Sequence, residues 1–140
     1  MRATDPGTER DLHHPIRVMV VDDHAHVRES LERLLSTAPD LIFVGAAKDG
    51  ESAPELCLQL VPDVVLMDLR MPGIDGVEAT ARVMAARPET RVLVLTSVPA
   101  TWMFDRATEV GAVGYLLKDD PIAEIIDAIR RAASHSAQAA

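Results

Sequence analysis

The run Val65-Leu66-Met67 stops on one carboxylate, Asp68, and Leu69-Arg70-Met71-Pro72-Gly73-Ile74-Asp75-Gly76 follows. A bounded run of Val and Leu reads as a fully buried strand. Such a strand delivers its last residue to a sheet edge, where a ligand can reach it. A carboxylate there is costly to desolvate unless a cation or hydrogen-bond donors meet it. Other apolar runs end on matching groups: Ile16 to Val21 on Asp22-Asp23, Arg91 to Leu95 on Thr96, and Ala112 to Leu117 on Lys118. If Asp22, Asp23 and Asp68 share one edge, each pair about 4 Å apart repels by roughly 4 kcal/mol at an effective dielectric of about 20. Either one carboxylate then takes a proton or a cation joins them. Oxygen ligands with room for water suit Mg2+, and Mg2+ draws phosphate. A lysine opposite would hold a second phosphoryl oxygen and a threonine hydroxyl a third. Asp68 would then be a carboxylate able to form an acyl phosphate.

These residues meet only if the right elements carry them. Strands are expected at Ile16 to Val21, Leu41 to Ala47, Asp63 to Asp68, Arg91 to Thr96 and Ala112 to Leu117. Helical spacing lies between them. The first helix shows Val27, Leu31, Leu34 and Leu35, with Asp23 or a neighbour as its cap and Pro39-Asp40 as its breaker. The second shows Ala53, Leu56, Cys57 and Leu60, with Pro54 tolerated in its first turn. The third runs from about Ile74 to Ala86 with Val77, Ala81 and Met84 inward, and Pro88 ends it. The fourth opens at Pro99 and closes at Gly111, with Met103, Ala107 and Val110 inward and Trp102 and Phe104 on other faces. The last shows Ile122, Ile125, Ile126 and Ile129, with Asp119 or Asp120 as cap and Pro121 at its first position. Strands alternating with helices predict the α/β class, a parallel sheet covered on both faces and joined by right-handed crossovers. Ligands in such folds sit outside the carboxyl ends of the strands. The second strand brings only Lys48 and Asp49 to that edge, which places it at the periphery.

The 140 residues suit one domain, and 48% hydrophobic with 3% aromatic residues predicts an aliphatic core. The formal charge of −8 argues against a nucleic-acid surface in this chain, because such surfaces neutralise phosphates with Lys and Arg. Cys57 is the one cysteine, so no internal disulfide forms; it reads as an inert core residue of a reducing compartment. No apolar run has the length of a membrane span, and the polar N-terminus lacks a signal-peptide core. The expectation is a soluble, cytoplasmic chain with no membrane partner. Residues 1–14 read as a disordered tail in which His13 and His14 are solvated, 15–134 as the folded domain, and 135–140 as a tail or the start of a linker.

Val21-Asp22-Asp23, then Leu66 to Gly76, then Leu95-Thr96-Ser97, then Gly111-Ala112 with Gly114-Tyr115-Leu116-Leu117-Lys118, resemble the receiver domain of bacterial two-component response regulators. The resemblance covers about Ile16 to Ala133. Asp22-Asp23-His24, the Leu-Leu-Lys118-Asp119 end and the Ile-rich last helix are most similar to receivers of the NarL/FixJ subfamily. It implies a flavodoxin-like sheet of order 2-1-3-4-5 and a phosphoacceptor at Asp68. It implies Mg2+, for which Mn2+ can substitute, held directly by Asp23 and Asp68, through water by Asp22, and by the backbone carbonyl of Arg70. Lys118 would pair with the phosphoryl group and Thr96 would move toward it. Tyr115 would change rotamer in concert, altering the face formed by the fourth helix, fifth strand and fifth helix. A sensor histidine kinase would be the phosphodonor, and a phosphorylation-dependent homodimer and slow self-dephosphorylation would follow. DNA would be contacted only through a helix-turn-helix output domain that is absent from this sequence.

Competing readings fit less well. A phosphohydrolase resembling the haloacid dehalogenase family needs an acid two residues after the nucleophile, where Arg70 stands, and no connection is long enough for a cap insertion. An FMN binder needs a Ser/Thr/Gly-rich loop after the first strand, where Asp22-Asp23 would repel phosphate. A receiver fold acting as a phosphate-independent interaction module is the remaining alternative. His24 and His26 flank the acids, but their i, i+2 spacing suits a shared transition metal poorly. Asp119 follows Lys118 where the family often has proline after a cis bond, Ser97 replaces a smaller residue, and Pro99 would stiffen the loop after Thr96.

Overall fold

A computed structural model describes residues 14–97 and 101–134. The expectations on His13, Pro99 and the 135–140 tail lie outside the described residues, as does all but the last residue of the 1–14 tail. The elements are β1 (Ile16–Val21), α1 (Ala25–Leu35), β2 (Leu41–Ala47), α2 (Ala53–Leu60), β3 (Val64–Met67), α3 (Gly76–Ala86), β4 (Arg91–Thr96), α4 (Thr101–Glu109), β5 (Ala112–Leu117) and α5 (Ile122–Ser134). The strands pair in parallel in the order β2-β1-β3-β4-β5, with β2 at an edge as expected.

The strands are mostly apolar because helices cover both faces. Successive side chains still alternate between the two. Met19, Val21, Val65, Met67, Val92 and Val94 pack toward α2, α3 and α4. Val18, Val20, Val64, Leu66, Leu93 and Leu95 pack toward α1 and α5. Cys57 is fully buried in the first of these layers.

Local details correct several expectations. The N-cap of α1 is His24, the neighbour of Asp23, in extended backbone, and no side chain caps the helix. The third helix starts at Gly76, two residues later than expected, because the Asp75 carboxylate accepts the Glu78 N–H at 2.9 Å. Its buried stripe is Val77, Ala79, Thr80 and Val83, while Ala81 and Met84 are half-buried. In α4, Phe104 is buried beside Met103 and Ala107, and Val110 is only half-buried. Ile122 is 56% exposed, so the buried stripe of α5 begins at Ile125. Pro121 stands just ahead of α5, its carbonyl accepting the N–H groups of Glu124 and Ile125. Asp120 closes the preceding turn by accepting the Leu117 N–H at 3.0 Å. No peptide bond among the described residues is cis, so Lys118–Asp119 is trans.

One close approach fixes the site's geometry. A Cβ at Gly76 would collide with the Asp68 carbonyl oxygen and lie 2.7 Å from the Leu69 Cα, both backbone. The Gly76 N–H donates to the Leu69 carbonyl at 2.8 Å. Gly76→Ala is therefore expected to lower the unfolding free energy by about 1–3 kcal/mol through overpacking. Gly114→Ala, whose Cβ would meet only the Leu93 side chain at 3.3 Å, should lose less. Urea denaturation of the two variants beside the wild type checks the ranking.

Candidate functional site

Backbone bonds set the ends of the strands. Asp22 donates its N–H to Ala47 at 3.1 Å, Asp68 to Val21 at 2.9 Å and Lys118 to Thr96 at 2.8 Å. Each functional residue thus hangs from the carbonyl of a neighbouring strand and has little freedom to leave the edge. Asp22, Asp68 and Thr96 are buried, while Asp23 and Lys118 are half-buried.

The side chains converge as the spacing suggested. The Lys118 Nζ lies 2.6 Å from Asp22 Oδ2 and 3.5 Å from Asp68 Oδ2. Ligand atoms of Asp22, Asp23, His24 and Asp68 all lie within 4.8 Å of one another. Thr96 occupies the end of β4, paired in register with Leu117. The backbone N–H of Arg70 hydrogen-bonds the Asp68 carboxylate. Tyr115 stands apart, 57% exposed on β5, with its ring stacked on Phe104.

One member, His24, was discounted as a metal ligand from its spacing, and one, Arg28, was missed. The His24 backbone N–H donates to Asp22 Oδ1 at 2.9 Å, and its Nδ1 lies 3.2 Å from that same oxygen and 3.3 Å from Asp23 Oδ1. His26 stays outside the acidic group, edge-on to His24 at 5.9 Å between ring centroids. The Arg28 guanidinium donates to the Asp22 carbonyl at 2.8 Å. Its signal in the sequence was a cation one turn into the first helix, below the acids. Beside the loop after β3, Arg70, Met71, Pro72, Asp75, Met103 and Trp102 line an open groove, and Trp102 is 61% exposed.

A divalent cation fits these donors. Asp22 is engaged on both oxygens, by His24 on Oδ1 and Lys118 on Oδ2. Asp23 Oδ1, in contrast, is buried with no hydrogen-bond partner, which is the condition a buried carboxylate oxygen escapes by ligating metal. The donor set is oxygen-rich and hard, as Mg2+ and Mn2+ prefer.

Burial first, and then the neighbouring Asp22, raise the Asp68 carboxyl; Lys118 and the Arg70 N–H pull it down, Asp23 raises it weakly, and together they leave it pushed up to about 6. The unfolded group titrates near 3.9. Between these values the folded chain holds the proton more tightly than the unfolded chain. Stability therefore falls as pH rises from about 4 to about 6 and levels off above. In EDTA at pH 8, Asp68→Asn should raise the unfolding free energy by about 1–3 kcal/mol. The gain should shrink toward pH 4, as read by chemical denaturation at both pH values.

Comparison with known proteins places this geometry. Residues 18–130 match the family described as the response regulator receiver domain. The transcriptional regulatory protein LiaR of Bacillus subtilis is 44% identical over 117 residues, 84% of this chain and 56% of LiaR. The response regulator GacA of Pseudomonas aeruginosa is 41% identical over 116 residues, 83% of this chain and 54% of GacA. The chain thus spans about half the length of these curated relatives. The signal receiver domain of NarL from Mycobacterium tuberculosis aligns with a TM-score of 0.81 at 39% identity, covering 87% of this chain and 98% of that one. The response regulator domain of Thermotoga maritima CheB gives 0.81 at 34% identity with the same coverage. Acids and lysine on the predicted strand ends, the strand order and the matched span agree, and the chain belongs to the receiver domain family of two-component response regulators, with NarL- and LuxR-type regulators among its relatives.

Proposed function

We propose that the chain is a phosphorylation-controlled switch whose acceptor is Asp68. The observation that carries this reading is the pairing of a buried Asp68 carboxylate with Lys118 at 3.5 Å beside a buried Asp23 oxygen that accepts no hydrogen bond. Asp23 and Asp68, with the Arg70 carbonyl, would hold Mg2+ directly, and Asp22 would act through a bound water. When bound, the cation neutralises charge on the phosphoryl oxygens as the group moves. An Asp68 carboxylate oxygen attacks phosphorus, the P–N bond of a phosphohistidine breaks as the P–O bond of an acyl phosphate forms, and a proton is taken up by the departing imidazole. Lys118 lies 2.6 Å from Asp22 and would shift its ammonium toward the new phosphoryl oxygens. Thr96 would follow with its hydroxyl, and Tyr115 would turn inward behind it.

The donor in this reading is a sensor histidine kinase in the cytoplasm, and the output is transcription, exerted through a DNA-binding domain on the same or a partner polypeptide. The names of LiaR, a transcriptional regulatory protein, and GacA, a response regulator, support that assignment. Self-dephosphorylation would serve as a timer and not as metabolism.

Intact mass after incubation with acetyl phosphate and Mg2+ tests the reading. The wild type should gain the mass of one phosphoryl group, and EDTA or Asp68→Asn should abolish the gain. Lys118→Met should lower the initial rate by about 100-fold, the scale of removing one preorganised charge partner from a transferring group. No adduct on folded protein, together with a spectrum blind to BeF3−, would leave the chain as a phosphate-independent interaction module.

A further inference from the structure

Phe104 has no place in the acceptor chemistry, yet it makes the most specific aromatic contact in the described residues. Its ring lies 4.0 Å from that of Tyr115, centroid to centroid, with the planes 12° apart. The two members differ in freedom. Phe104 is buried in the layer formed by α2, α3 and α4, between Met103 and Ala107, so its ring is held by packing. Tyr115 is 57% exposed, and no hydrogen bond to its hydroxyl is seen among the described residues. Phe104 is therefore a fixed plate and Tyr115 the ring that rests on it.

We infer that Phe104 is a positioning residue for the switch: by stacking on Tyr115 it holds that ring outward and sets how readily the acceptor site enters its phosphoryl-bound conformation. This rests on the reading above that Tyr115 turns inward when Asp68 carries a phosphoryl group. The inward rotamer takes the ring off Phe104, so the stack stabilises only the outward state. An aromatic pair of this kind shifts an equilibrium by about 2- to 12-fold beyond simple burial. A ligand selecting a minor state binds more tightly by the factor by which that state's population rises. Phe104→Leu, which keeps aliphatic volume in the core, should therefore tighten the binding of a phosphoryl mimic.

The test uses BeF3− with Mg2+, read by the fluorescence of Trp102, the one tryptophan. Phe104→Leu should bind about 2- to 12-fold more tightly than the wild type, and Phe104→Tyr, which keeps the stack, should bind as the wild type does. Tyr115 is the one tyrosine of the wild type and of Phe104→Leu, so 3-fluorotyrosine labels it alone. Its 19F resonance in unligated Phe104→Leu should lie between the free and BeF3−-bound wild-type positions. A mere packing role predicts unchanged or weaker binding and an unmoved resonance, and that result overturns the inference. A wild type that ignores BeF3− altogether overturns the acceptor reading and the inference with it.

Discussion

Two fully enclosed carboxylates, Asp22 and Asp68, sit at the carboxyl edge of a sheet otherwise built from aliphatic side chains. Their repulsion is the constraint that the surrounding structure answers. One cation, Lys118, reaches both; two donors from His24 hold one Asp22 oxygen; Arg28 holds the carbonyl behind it. Even so burial leaves the Asp68 carboxyl pushed up to about 6, so these partners do not fully offset it. A chain selected for stability alone would place no acid there. A carboxylate destabilised in this way is what the proposed acceptor role calls for.

The strands were legible because both faces of the sheet are covered, which makes each a mostly apolar run ending where the polar edge begins. That made Asp22, Asp68, Thr96 and Lys118 readable as one set before any contact was known. Helix ends were less legible, since Asp favours caps and loops alike. The cap of the first helix was placed only at Asp23 or a neighbour and falls on His24, while Asp75, one residue beyond the expected start of its helix, caps the third. His24 was discounted for its i, i+2 spacing with His26, yet the turn after β1 brings its Nδ1 back between two carboxylates without its neighbour.

Register was hidden altogether. Val92 pairs with Ala112 but Leu93 with Gly114, so an extra residue, Val113, is taken up in β5. That shift sets Tyr115 opposite Val94 and Leu117 opposite Thr96, a coupling that no periodicity reports. The weak apolar stripe of the fourth helix concealed Phe104 for a related reason: its ring finds its partner on a strand, across a contact that helical spacing alone does not specify.

Gly76 gives the site a direction. Because nothing larger than hydrogen fits between α3 and the peptide of Asp68, that helix is seated directly on the acid's own backbone, pinned by the Gly76–Leu69 bond. On the other flank Asp68 faces a lysine 3.5 Å away, and beyond it a strand whose tyrosine lies open to solvent. A displacement of Asp68 toward α3 would meet backbone already in contact with backbone, whereas one toward β4 and β5 would meet only a flexible ammonium and an exposed ring.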